Sequence, residues 1–291
     1  MKIIKYFFEF ISVISLFCIF KIIGLRNASN LGGLLGRLFG PLFRSKYIIK
    51  KNIKIGLGVI SKEKEIEIIN SMWSNIGSTF AEYIFLKDFK FNKTNFEHIK
   101  INGTSYLDNI KKNEESAIFY SGHFANFELM AMELEKLGIK CAAIYRPLNN
   151  FFLNPLMEYL RMKYICPNQI PKGRMGMRKI INKVKNGYSI ALMVDQRVSE
   201  GAKIPFFNKP AYTTTVPAQL ALKFNCKLVP ISLKRKEGIN FEMTIHEPYK
   251  INKTENYDQD IINITLKINQ IIEKMILNNP TQWTWSHNRW K

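Results

Sequence analysis

The chain has 291 residues, 46% hydrophobic and 23% charged, enough for one large domain or two small ones with a sizeable core. Its 43 Lys and Arg against 23 Asp and Glu leave a formal charge of +20, which predicts an anionic partner: nucleic acid, a membrane surface, or an acidic substrate or carrier. Lys, Asn and Ile are abundant throughout, so part of that excess is compositional bias. The four cysteines, Cys18, Cys141, Cys166 and Cys226, stand far apart with no C-x-x-C and no histidine at ligand spacing, which argues against a zinc site and a disulfide framework and fits cytoplasmic, reducing surroundings.

The N-terminus is apolar. Residues 3–25, "IIKYFFEFISVISLFCIFKIIGL", are interrupted by Lys5, Glu9 and Lys21. The uncharged stretch 10–20 has 11 residues, short of the roughly 20 that a clean span needs. Lys5 and Lys21 can snorkel, which leaves Glu9 as the awkward charge. No small-residue cleavage site follows, so residues 1–25 are expected to form an uncleaved membrane anchor helix, spanning or lying in the interface. Between Phe10 and Lys62 there is no acidic residue but nine Lys and Arg. Within that window "LGGLLGRLFGPLF" alternates apolar bulk with glycine. Residues 26–60 are therefore expected to be a basic, apolar segment at an anionic membrane surface, which places this side in the cytoplasm. No base-reading motif or zinc-finger spacing supports nucleic acid as the anionic partner.

Ser61 is a helix cap candidate, with Glu63 and Glu65 in the first turn and apolar residues from Ile66 to Ile84 recurring every three or four positions. From about Ile99 strands and helices alternate. Strands are expected at 117–122, 140–146, 189–196, 227–235 and 241–248, and helices around 126–137, 153–163, 174–186, 216–225 and 258–278. The pattern predicts an α/β fold, a mostly parallel or mixed central sheet flanked by helices, as one catalytic-type domain over 61–291.

In open α/β sheets, sites lie at the carboxyl ends of strands. His123 is at such an end, in "AIFYSGHFANFE". Asn126 is expected to cap the next helix, whose positive terminus would lower the imidazole pKa and favour the neutral form that a general base requires. Five helical positions turn about 500°, so Glu128 meets His123 only if the histidine lies outside the helix and folds back over its first turns. Glu128 would then fix the tautomer and stabilise the imidazolium. The other reading of these two residues is a capping histidine and a solvated glutamate. The H-E-x-x-H zinc signature is absent.

Several blocks together carry a resemblance. "GHFANFE" resembles the H-x4-D/E motif of the lysophospholipid acyltransferase superfamily. "AIYRPLNN" (143–150), "LMVDQR" (192–197), "IPFFNKPAYTTT" (204–215), "LVPI" (228–231) and "PTQWTWSHNRWK" (280–291) are similar to blocks of the late acyltransferases of lipid A biosynthesis, the lauroyl/myristoyl group. Asn208 stands where that family often has glycine, in a turn that tolerates positive φ. The F-P-E-G-T-R block of the lysophospholipid and glycerol-phosphate branch is missing.

The resemblance implies a glycerolphosphate-acyltransferase-like domain at the bacterial inner membrane, with its catalytic part on the cytoplasmic face. It implies transfer of a fatty acyl chain from acyl carrier protein to a hydroxyl of an acylated lipid A precursor, with His123 as general base and Glu128 as its partner. Oxyanion donors are expected among backbone N–H groups near 122–124, or at Arg146. Arg146, Arg161, Lys172, Gly173 and Arg174 are expected to bind substrate phosphate, with Asp195 and Gln196 at the same rim. Asp195 alternatively pairs with Arg197 or Arg174. Phe206, Phe207, Trp283, Trp285 and Trp290 either line an acyl groove or pack the core. The expected partners are acyl carrier protein, the lipid A precursor and an anionic membrane surface, with no nucleic acid, no metal and no redox cofactor. The competing readings are an acyltransferase acting on a lysophospholipid or glycerol phosphate, and a non-catalytic basic protein that binds a membrane surface.

Overall fold

The computed structural model describes residues 2–91, 98–112 and 115–291. Four helices come first: α1 (Lys2–Ile23), α2 (Leu25–Phe43), α3 (Lys46–Leu57) and α4 (Lys62–Glu82). The short α5 (Leu86–Phe91) follows. The rest alternates: β1 (Ile99–Asn102), α6 (Ser105–Lys112), β2 (Ala117–Ser121), α7 (Leu129–Lys136), β3 (Cys141–Tyr145), α8 (Asn154–Leu160), β4 (Asn168–Pro171), α9 (Arg174–Lys185) and β5 (Ser189–Met193). A hairpin, β6 (Ala202–Phe206) and β7 (Lys209–Thr213), leads to α10 (Val216–Phe224), β8 (Lys227–Arg235), β9 (Phe241–Ile245) and α11 (Tyr257–Asn278).

Seven strands form one sheet in the order β1-β9-β8-β2-β5-β3-β4. Every pairing is parallel except β8 with β9. Both faces of the sheet are covered, which explains why all five residues of β2 are buried although they alternate sides. Phe119 packs with α1, α4 and α7 residues on one face; Ile118 and Tyr120 pack with α9, α10 and α11 residues on the other. The five expected strands are present. Two strands at opposite edges of the sheet, β1 and β4, are too short and polar to announce themselves. The β6–β7 hairpin, interrupted by Pro205 and Pro210, was not expected from the pattern. Its turn places Phe207 and Asn208 at φ 50° and 56°, and Asn208 accepts that backbone as a glycine would.

The N-terminal helices are joined to this layer. Ser61 caps α4 as expected, its hydroxyl accepting from the Lys64 N–H at 3.2 Å. The segment 26–60 folds mainly as α2 and α3, and α2 turns a glycine face onto α4. A Cβ at Gly36 would lie 2.2 Å from the Trp73 carbonyl, and one at Gly77 2.1 Å from the Gly32 carbonyl, so the two backbones touch. The opposite face of α2 leaves Leu34, Leu38 and Leu42 exposed. α1 is the one described helix long and apolar enough to cross a membrane, with a mean hydropathy of 2.0. Its Phe17 and Phe20 are buried against the domain, while Ile3, Ile4, Phe7, Phe8 and Ile11 are exposed. Glu9 has partners: the Asn150 amide donates to it at 3.1 Å and to the Tyr6 carbonyl at 2.9 Å, and Lys5 lies 3.8 Å away.

One buried polar cluster ties α2, α4, β8 and the loop after β2 together. Glu82 of α4, fully buried, is paired with Arg235 at the end of β8. It also accepts from Ser29 of α2 at 2.7 Å and from the Asn126 amide at 2.9 Å. Asn75 and Thr79, two turns and one turn earlier in α4, both donate to the Ala125 carbonyl at 3.1 Å. Ala125 needs that grip, because its φ of 45° is a left-handed conformation costly for a residue with a Cβ. Replacing Glu82 with Gln would leave the Arg235 charge without its counter-ion in this cluster. We expect a loss of about 3 kcal/mol or more in denaturant-unfolding stability; a loss below about 1 kcal/mol would show that the pair is not a principal tie.

Candidate active site

Four adjacent parallel strands, β2, β5, β3 and β4, end along one edge of the sheet. That rim gathers most of the residues singled out in the sequence. His123 follows β2, Asp195 and Gln196 follow β5, Arg146 follows β3, and Lys172, Gly173 and Arg174 follow β4.

The register of β2 on β5 creates the central contact. Ser121 pairs with Met193, so the residues two beyond each, His123 and Asp195, emerge side by side. His123 Nδ1 lies 2.7 Å from Asp195 Oδ1, and the His123 backbone N–H donates to Asp195 Oδ2 at 2.9 Å. The Trp283 indole N–H donates to the same Oδ2 at 2.7 Å. Asp195 is therefore a buried carboxylate with three donors, and it pairs with neither Arg197 nor Arg174. Burial alone would raise its pKa, but His123 and the hydrogen bonds hold it down at about 2. For His123, burial opposes the charge, yet the charge and hydrogen bond of Asp195, with a further contribution from Glu128, outweigh it and raise the pKa above 6.5. The expected lowering by a helix terminus is thus overturned. A carboxylate in direct contact acts more strongly than the end of α7, which starts at Leu129, six positions on.

Three further expectations are corrected. Asn126 does not cap α7; its amide is spent on Glu82. Glu128 is not the hydrogen-bonded partner of His123. Arg161 grips it through Nε at 3.2 Å and Nη2 at 2.6 Å, and the Tyr83 hydroxyl donates to it at 2.8 Å. Its remaining link to the histidine is electrostatic, at longer range. Nor is Arg161 a free rim cation: its side chain is 12% exposed, bound to Glu128 and flanked by the rings of Tyr83 and Tyr145 at 5.6 and 5.4 Å. Two of the backbone donors expected for an oxyanion, those of His123 and Phe124, are also occupied. The N–H of His123 goes to Asp195, that of Phe124 to the Gly122 carbonyl at 2.8 Å, and that of Ala125 to the Gln282 carbonyl at 3.3 Å.

Arg146, Lys172, Gly173 and Arg174 are exposed at the rim. β3 and β4 are neighbours, and the Lys172 N–H donates to the Tyr145 carbonyl at 2.8 Å, which holds this basic pair of strand ends together. Of the aromatic residues, Phe206, Trp283 and Trp285 are core. Trp283 has a second role that sequence reasoning missed, as a donor to Asp195. His287 was missed too. Burial pushes its pKa down to about 4, and its neutral Nε2 accepts the Arg197 N–H at 2.9 Å. Both stand in the "WTWSH" ending, so the C-terminal block supports the residues after β5.

The chain is similar to known proteins over most of its length. The chain is 26% identical over 276 residues to a lipid A biosynthesis acyltransferase of Haemophilus influenzae, covering 88% of this chain and 83% of that protein. It is 24% identical over 269 residues to the lipid A biosynthesis palmitoleoyltransferase of Escherichia coli, covering 90% and 84%. With the lauroyltransferase of the same organism it shares 22% identity over 269 residues, again covering 90% and 84%. The model of the bacterial lipid A biosynthesis acyltransferases matches residues 1–291, and the chain belongs to that family.

Proposed function

We propose that this acyltransferase moves a fatty acyl chain from acyl carrier protein to a hydroxyl of an acylated lipid A precursor, with His123 as general base. The observation that carries the reading is the contact of His123 Nδ1 with the buried Asp195 carboxylate at 2.7 Å. It fixes the proton on Nδ1 and turns the basic nitrogen, Nε2, toward substrate. Nε2 takes the proton of the acceptor hydroxyl, and the oxygen attacks the thioester carbon. The tetrahedral adduct collapses, and the leaving thiolate receives the proton from the imidazolium. Base, nucleophile and leaving group complete this sequence, so it calls for no metal or redox cofactor.

The partners follow from charge and position. A chain of net charge +20 suits an acidic carrier and an anionic bilayer. Arg146, Lys172 and Arg174, exposed on the rim that carries His123, suit the phosphates of the acceptor. The exposed apolar face of α1 and the basic run from Arg26 to Lys54 suit an inner membrane whose cytoplasmic face carries the domain.

Purified protein supplied with acyl-carrier-protein donor and lipid A precursor should add one acyl chain to the precursor, read as product mass. His123→Ala should slow that step by about 10²–10⁴-fold at matched folding. Acylation only of a lysophospholipid, or only from a different thioester, would replace the acceptor or donor named above; turnover unchanged in His123→Ala would remove the base. The pH dependence has a definite sign. A base must be neutral, and Asp195 raises the His123 pKa, so kcat/KM should climb through a midpoint above 6.5. A midpoint below 6.5 would contradict the pairing.

A further inference from the structure

We infer that the Gln196 side chain caps the catalytic nitrogen in the resting site and, displaced by the acceptor hydroxyl, becomes a hydrogen-bond donor to the oxyanion. The inference rests on the reading of His123 as the base and adds a second group to the chemistry.

The geometry begins with a rigid backbone. The Val194 N–H donates to the Ser121 carbonyl at 3.0 Å, Asp195 is held by three donors, and the Arg197 N–H is held by His287. Between these fixed residues the Gln196 side chain makes one hydrogen bond among the described residues, from its Nε2 to His123 Nε2 at 3.3 Å. Asp195 keeps the imidazole proton on Nδ1, so His123 Nε2 presents a lone pair, and the Gln196 NH2 rather than its carbonyl must face it. At 3.3 Å that bond is longer than the usual 2.9–3.0 Å of an N–H donor, and so is weak and replaceable.

An acceptor hydroxyl that gives its proton to Nε2 must enter the space the amide fills. Once displaced, the amide stays beside the attacking oxygen. When that oxygen bonds to the thioester carbon, the carbonyl electron pair moves onto an oxygen one atom away, and that oxyanion needs donors. Three nearby backbone groups are already committed, the N–H groups of His123, Phe124 and Ala125 being bonded, so side-chain donors come into play. Gln196 carries two N–H groups and one weak bond. Uncharged and already at the base, it can serve first the lone pair and then the oxyanion without a change in protonation.

Two variants and two readouts test this. Gln196→Ala removes cap and donor; Gln196→Glu keeps the shape but cannot donate once ionised. In the acyl-transfer assay both should lose about 10²–10³-fold in kcat, with acceptor KM changed far less, the signature of a contact made in the transition state. Diethylpyrocarbonate, which reacts with an unprotonated ring nitrogen, should modify His123 faster in Gln196→Ala than in wild type, read by peptide mass. His123→Ala is assayed alongside. If it is inactive while both Gln196 variants keep kcat within about threefold of wild type, the oxyanion role is wrong and the base reading stands. An effect on KM alone would make Gln196 an acceptor contact and overturn the inference. An unchanged diethylpyrocarbonate rate would remove the cap. Turnover retained by His123→Ala would mean that the base reading itself has failed.

Discussion

The Asp195 carboxylate is 2% exposed, and a buried anion without partners would cost several kcal/mol. Its three donors therefore constrain the site. The His123 ring and the His123 backbone bring the end of β2 to the end of β5. The Trp283 indole brings in the C-terminal segment, whose His287 then holds the Arg197 N–H. Space is equally tight: a Cβ at Gly122 would lie 2.7 Å from the Phe124 ring and 3.3 Å from Asp195 Oδ2. The position of His123 is thus set by a charge that the fold has to neutralise.

A second buried charge supports the loop from the other side. Glu82 and Arg235 meet within a cluster that also holds Asn126, while Asn75 and Thr79 hold the Ala125 carbonyl. The loop 122–128 therefore runs between two buried polar clusters, one at the sheet edge and one under α4. The left-handed Ala125 lets the chain reverse between them. Glu128, at the end of this loop, is turned to Arg161 and Tyr83 and shapes the charge around the site from a distance.

Much of this was legible in the sequence. The runs "AIFYS" and "SIALM" read as buried strands, and the residues after them read as rim, because side-chain period and strand position are local properties. The choice of partner for His123 was not local. Glu128 is five residues away and Asp195 is 72, and only the register that sets Ser121 against Met193 makes the distant acid the neighbour. No single sequence states a register. The burial of α2 shows the same limit. Its glycines suggested an apolar membrane-surface segment, whereas the contact of Gly32 and Gly36 with Gly77 appears only once α4 lies against them. Asn150 is a third case: it belongs to a block that resembles the family, and its tie to Tyr6 and Glu9 of α1 links the N-terminal helix to the loop beyond Arg146.

The central claim is that Asp195, rather than Glu128, fixes the proton and the basicity of His123. Nitrogen-15 NMR of the histidine side chains in the intact protein tests it most directly, since the two ring nitrogens report their protonation separately. The account predicts a neutral His123 with the proton on Nδ1, a titration midpoint above 6.5, and a larger fall of that midpoint in Asp195→Asn than in Glu128→Gln. A neutral ring with its proton on Nε2, or a midpoint that answers mainly to Glu128, would contradict it.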